Sequence, residues 1–192
     1  LTTTATAYNG TAGSGSNAGS YSITQGTLSA GGNYALTYTG ANLTVNKAPL
    51  TATGNSATTT YNGSAHSVGG YTVSGLVNGD SSAAGITTSA SGATGTNAGS
   101  YTNTVTAGTS TNYTITAVNG ALTINQAALG ITANAASMTY GASNLPTLGY
   151  SISSGQLYGS DALSGALTTT ATAYNGTAVS YTHLTLPTIY SV

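Results

Sequence analysis

The feature that most restricts how this chain can fold is a repeat with a period of about 80 residues, within the range of tandem arrays. NAGSY at 17–21 returns at 97–101. NYALTYT at 33–39 runs on to ANLTVN at 41–46, and TNYTITAV at 111–118 runs on to ALTIN at 121–125. Tyr34 maps to Tyr113, Leu43 to Leu122 and Ala48 to Ala127. The spacing divides the chain into four parts. Residues 1–48 are the end of a first module, 49–127 a complete second, 128–178 the start of a third, and 179–192 a tail.

Alternation of apolar and polar residues inside each copy predicts strands, because side chains along a strand point to opposite faces in turn. The expected fold is all-β: tandem antiparallel modules, sandwich-like, with a compact β-grasp-like module as the alternative. Asn-Gly between two alternating runs is a strong hairpin signal, since a type I′ turn needs φ > 0 at both central residues. Asn119-Gly120 therefore predicts a hairpin with Val118 opposite Ala121, Ala117 opposite Leu122 and Ile115 opposite Ile124. The earlier copy has Gly40-Ala41 at the turn, which suits type II′ and pairs Tyr38 with Leu43 and Leu36 with Val45.

Further strands are expected at Leu1–Tyr8 and at 17–24, with Tyr21 and Ile23 sharing a face. In the second module they fall at Leu50–Thr53, Thr58–Tyr61, Tyr71–Ser74, Ile86–Ser89, Ser100–Ala107, Tyr113–Val118 and Ala121–Ile124. Asn62-Gly63 and Asn78-Gly79 mark turns. Lys47-Ala48-Pro49 and Gln126-Ala127-Ala128 read as short junctions, with Pro49 stopping a strand from running through. MTYG at 138–141 and YSISSG at 150–155 match TTYNG at 59–63 and YTVSG at 71–75, and open the third module.

Composition narrows function. Charged residues are 2% of the chain: Lys47, Asp80 and Asp161. Nucleic-acid binding requires several cations to neutralise phosphates and is not expected. A polybasic membrane patch is missing, and no apolar run nears the roughly 18 residues of a spanning helix, so no membrane insertion is expected. Disorder usually combines low hydrophobicity with high net charge. This chain is 39% hydrophobic with 14 Tyr, so a folded protein is expected. Phe, Trp and Cys are absent, so Tyr, Leu, Ile and Val carry the core without disulfides. Modest stability per module, helped by stacking on neighbours, is the expectation. Leu1 falls inside a module without an initiator Met, so the chain reads as a window on a longer polypeptide in which a leader or lipid signal would not show.

No site residue emerges. His66 has no nearby Cys, Glu or second His in sequence and reads as a loop histidine. Ser and Thr abound, but a nucleophile needs an activating base. Asp80 and Asp161 follow SGLVNG and SGQLYGS and read as turn residues, because calcium generally takes several carboxylates. Lys47, with Gln126 as its counterpart, reads as a solvated junction lysine rather than an isopeptide partner. Thr2, Thr4 and Thr6 resemble one row of an ice-binding array, but the second module does not repeat them. Asn9, Asn42, Asn62, Asn112 and Asn175 open sequons, as expected by chance in a chain rich in Asn and Thr. No catalytic residue, metal or cofactor is expected.

Leu167–Ala178 is identical to Leu1–Ala12, yet after Ala178 the match stops at VSYTHLTLPTIYSV. That tail resembles a translated sequencing adapter, so residues 179–192, with His183, are set aside. The rest resembles a known group. TYNGSA at 60–65, TYGASNLP at 139–146, SGLVNGD at 74–80, the NAGSY copies and the endings LTVNKA and LTINQA are similar to the mostly-β glycine-rich repeats, YDG and YGX types, of large bacterial haemagglutinin-like adhesins. The chain departs from the YDG type at Asn62. The resemblance implies export across a Gram-negative outer membrane and a place in a surface-exposed stalk, with neighbouring repeats as partners. Host-cell or biofilm glycans would be bound through other domains. The rival reading is a module whose exposed Tyr and Asn contact glycans directly; an enzyme ranks third.

Overall fold

A computed structural model describes residues 1–81 and 85–176. The tail at 179–192, with His183, and the end of the repeated stretch at 177–178 lie outside the described residues. The chain divides into two compact units, Leu1–Ala127 and Ala128–Val192. Among the described residues the secondary structure is all-β, with no helix.

In the first unit, β1 (Thr2–Thr3), β2 (Gly19–Thr24) and β3 (Ala41–Val45) form an antiparallel sheet in that order. Tyr21 and Ile23 do share the less exposed face of β2. The strand expected over Leu1–Tyr8 stops after Thr3. Beyond it the Thr6 amide turns to the Ser16 hydroxyl at 2.7 Å instead of a neighbouring strand.

Ten strands follow: β4 (Ala48–Gly54), β5 (Ala57–Thr60), β6 (His66–Val68), β7 (Tyr71–Ser74), β8 (Ser89–Ala90), β9 (Ala93–Gly95), β10 (Gly99–Asn103), β11 (Val105–Thr106), β12 (Tyr113–Val118) and β13 (Gly120–Asn125). Two three-stranded sheets carry the module, ordered β12-β4-β7 and β10-β13-β5; β11-β8 and β6-β9 are two-stranded. Along β4, Leu50, Ala52 and Gly54 are buried, and along β13, Gly120, Leu122 and Ile124, which is the period of two. Burying each large aliphatic side chain contributes about 1.5–3 kcal/mol. Leu122, Ile124 and Ala93 form one cluster, closed by Ala57, Tyr61, Val68 and Tyr101.

The second module is not purely antiparallel. β12 runs parallel to β4, with Ile115 beside Leu50, and β13 runs parallel to β5, with Leu122 beside Ala57. The expected Asn119-Gly120 hairpin is therefore wrong: β12 and β13 lie in different sheets, and Val118 does not face Ala121 across a turn. Neither Asn119 nor Gly120 has positive φ, so no type I′ turn forms. The chain instead passes from one sheet into the next at this point, alongside an equal passage at Asn55-Ser56. The glycine answers a different need. A Cβ on Gly120 would lie 2.2 Å from the Asn55 carbonyl oxygen and 2.5 Å from that of Gly54. The true type I′ geometry occurs at Asn78-Gly79, where φ is 55° and 68° and the Asp80 amide closes onto Val77 O at 3.0 Å.

The Gly40-Ala41 hairpin also fails. Gly40 lacks positive φ, residues 33–40 form no strand, and β3 pairs with β2, Leu43 opposite Tyr21. Pro49 does not stop a strand; it lies inside β4. Ala48 donates toward β12, to Asn112 O at 2.8 Å, so alternation turns the missing Pro49 N–H the other way, before β7 begins pairing at Thr51. Ser100–Ala107 breaks at Thr104, whose carbonyl accepts from the Ser91 amide at 2.9 Å as the chain changes sheets. Ile86–Ser89 is strand only from Ser89.

In the second unit, β14 (Gly130–Ala133) pairs with β15 (Tyr150–Ser154), Ile131 opposite Ile152 and Ala133 opposite Tyr150. The register repeats that of β4 and β7, where Ala52 faces Val73 and Gly54 faces Tyr71.

Candidate functional site

Two polar centres organise the second module. The first is the corner where the two strand pairs change sheets. Asn103, at 0% exposure, fills it. Its amide nitrogen donates to Gly70 O at 2.9 Å and Asn55 O at 3.1 Å, and its oxygen accepts from the Gly92 amide at 3.0 Å. Ser56 Oγ accepts from the Ala121 amide at 3.0 Å, and Asn119 Oδ1 from the Val105 amide at 2.9 Å. A buried amide stripped of partners costs about 1–3 kcal/mol, so these bonds fix which carbonyls face the corner. Sequence reasoning passed over Asn103. A signal was present, because Asn103 is in phase with Tyr101 and Val105 along the strand and so points inward with them.

The second centre is a cleft of about 160 Å³ where residues 13–18 and 45–48 meet the second module. The Tyr113 hydroxyl, buried at its floor, donates to Asp80 Oδ2 at 2.7 Å and accepts from the Val77 amide at 3.1 Å. Burial holds the Tyr113 pKa above its ordinary 10.0; the Val77 amide opposes this, and the hydrogen bond and charge of Asp80 add to it. Asn112 spans the cleft wall. Its Oδ1 accepts from the Ala18 amide at 2.9 Å and its Nδ2 donates to Asn17 Oδ1 at 2.9 Å. Lys47 Nζ donates to Ser110 O at 2.7 Å, so the junction lysine is tied to the module.

The remaining candidates fall apart from these centres. His66 lies on β6, with Nε2 2.9 Å from Asn62 Oδ1. The same oxygen accepts from the Ser64 amide at 3.0 Å, so Nε2 carries the hydrogen and the ring is pinned to its turn. The Asp161 amide closes a turn onto Tyr158 O at 3.0 Å, as Asp80 does onto Val77. Thr2 and Thr24 hydroxyls pair at 2.8 Å across β1 and β2, while Thr4 sits at a bend and Thr6 bonds Ser16, so the three threonines form no flat row. Asn9, Asn42, Asn62 and Asn175 are exposed; Asn112 is half-buried with both amide atoms engaged. Gln126 is exposed. Among the described residues no three His, Cys, Asp or Glu side chains are grouped to hold a metal ion.

What this geometry does is hold backbone to backbone: carboxamides and one phenol bridge carbonyls and amides that strands leave over. No curated protein and no solved structure matches the chain. The MBG domain of the YGX type matches residues 2–44 and 50–123, more than half of the chain, and the two matched stretches carry the two NAGSY copies. The chain therefore belongs to the mostly-β glycine-rich (MBG) domain family, YGX type.

Proposed function

We propose that the chain is a run of spacer repeats in a secreted, surface-exposed bacterial adhesin of the haemagglutinin-like kind, and that it carries no catalytic site. The observation that carries this reading is the junction within the first unit. Only Asn46 and Lys47 separate β3 from β4, and the bonds of Asn112 to Asn17 and Ala18 and of Lys47 to Ser110 cross from the first repeat to the second. Repeats joined by a two-residue link and cross-bonded on both sides behave as a stacked array, in which each interface adds stability and restrains bending. Asn17, Asn112 and Lys47 are spent on these bonds rather than presented to a ligand. Specific recognition then belongs to domains elsewhere in the adhesin.

The experiment is a glycan array and a host-cell binding assay with the whole chain. No saturable binding is the expected result. Micromolar or tighter binding to one glycan class, lost when exposed tyrosines such as Tyr34 or Tyr140 are replaced by Ala, transfers the assignment to a lectin-like module.

A further inference from the structure

The loop between β5 and β6 in the second module brings two N–H donors onto one side-chain carbonyl. Both ends of this loop are held. The Tyr61 amide donates to Asn125 O at 2.8 Å, and His66 stands opposite Gly95 in the β6–β9 pair. Within it the Ser64 amide donates to Asn62 Oδ1 at 3.0 Å, an Asx turn that folds the carboxamide back over the peptide bond after it. His66 Nε2, which carries the hydrogen, donates to the same oxygen at 2.9 Å. Asn62 and Gly63 are exposed, and Gly63 adopts a φ of 76°.

Two N–H groups at about 2.7–3.1 Å from an oxygen on which charge develops make an oxyanion hole. Charge develops on Asn62 Oδ1 when a nucleophile adds to Cγ. The backbone nitrogen of Gly63 is within reach through the chain itself, because its addition closes a five-membered ring. Glycine brings no side chain to obstruct that closure.

From this arrangement we infer that Asn62-Gly63 is a self-modification site, at which the Ser64 and His66 donors stabilise the oxyanion of an intramolecular acyl transfer that deamidates Asn62. Hydroxide takes the Gly63 amide proton, the nitrogen adds to Cγ, and the carbonyl electron pair moves onto Oδ1. The pair returns as the Cγ–Nδ2 bond breaks, and Nδ2 leaves as ammonia with a proton from water. The succinimide then takes up water at either carbonyl and opens to an aspartyl or isoaspartyl residue. Carboxamide and water become carboxylate and ammonium; nothing is oxidised or reduced. The new carboxylate lies beside His66 in a chain whose other acidic residues are Asp80 and Asp161. The event happens once per turn and is separate from the spacer reading.

The chain carries its own comparison. Tyr8-Asn9-Gly10 repeats Tyr61-Asn62-Gly63, with Gly10 at a φ of 95° and the Thr11 amide on Asn9 Oδ1 at 3.1 Å. Gly13 stands where His66 stands, so Asn9 has the turn without an imidazole donor. Asn119-Gly120 is built differently: Asn119 Oδ1 accepts from the Val105 amide, and Gly120 is buried at the start of β13.

The test incubates the whole chain near neutral pH in water enriched in heavy oxygen, then cuts after tyrosine. Asn62 falls in the 62–71 peptide and Asn9 in the 9–21 peptide, and mass spectrometry counts the heavy oxygen that each gains. In the folded chain Asn62 converts about tenfold faster than Asn9. His66→Ala removes that difference and leaves the Asn9 rate unchanged. In urea, where both turns are lost, the two asparagines of the wild type convert at one rate; this arm does not depend on the variant folding. A histidine that merely pinned the loop has the opposite sign, since its removal frees the loop and speeds Asn62. Asn62 no faster than Asn9 in the folded chain overturns the proposal. So does a difference that persists in urea, or a His66→Ala chain in which Asn62 converts as fast as before or faster.

Discussion

Replacing Gly120 by Ala separates the two uses a protein has for glycine. The added Cβ would stand 2.2 Å from Asn55 O, 2.5 Å from Gly54 O and 2.6 Å from Gly54 C, all backbone atoms. Ordinary contact begins near 3.4 Å, so the corner must open by about 1 Å. That movement lengthens the 3.1 Å bond from Asn103 Nδ2 to Asn55 O beyond hydrogen-bond range. Overpacking of this kind costs about 1–3 kcal/mol, and a buried polar group left unpaired about 1–3 more. The expected loss is about 2–6 kcal/mol, a large part of the ~5–15 kcal/mol that holds a domain folded. Gly92→Ala is the control. Gly92 has φ of 75° and a Cβ there meets nothing nearer than 3.4 Å, so only the left-handed backbone is penalised, by about 1–2 kcal/mol. A hairpin glycine at position 120 would behave like this control. Urea unfolding of the two variants, followed by tyrosine fluorescence, decides between them. Equal losses in the two refute the corner.

Asn103→Leu keeps the branched outline, adds some volume and removes three hydrogen bonds; a loss of about 2–4 kcal/mol in the same urea assay is expected. Tyr113→Phe tests the buried phenol: above about pH 10 the unfolded chain releases this proton while the folded chain retains it, so this group makes stability fall as pH rises, by at most about 1.4 kcal/mol per pH unit, until the folded phenol ionises too. Urea midpoints measured on both sides of pH 10 should show a steeper alkaline fall in the wild type than in Tyr113→Phe. Asn112→Ala cuts the bond to the Ala18 amide, worth about 1 kcal/mol, and should speed hydrogen exchange there roughly fivefold while leaving the β12 amides protected.

Local pattern was legible at some alternating runs and not at others: residues 33–39 alternate yet form no strand, and the run from Leu1 stops after Thr3. Tyr71–Ser74 and Tyr113–Val118 are strands with the bounds their alternation predicts, and Tyr21 and Ile23 share a face as it requires. Partner choice was not legible. Asn-Gly serves a type I′ turn at 78–79 and a backbone crossing at 119–120, and the dipeptide is the same in both. Only tertiary context says whether the missing Cβ frees φ or makes room. β6 and β9, at three residues each, are too short to show a period. The absence of charge pointed away from a charged-ligand site, but it concealed how the polar side chains are used. Asn103, Asn112 and Asn119 look in sequence like three of many solvated asparagines, and in the structure each bonds backbone groups of another segment.

The central claim is the proposal that the repeats stack into a spacer, argued from the bonded two-residue junction between β3 and β4. Small-angle scattering on chains carrying increasing numbers of residues 48–124, each joined by the native 46–47 link, tests it most directly. A stacked array predicts a maximum dimension that grows by the same increment with every added repeat. Growth as about the square root of repeat number, the behaviour of freely jointed beads, contradicts the account.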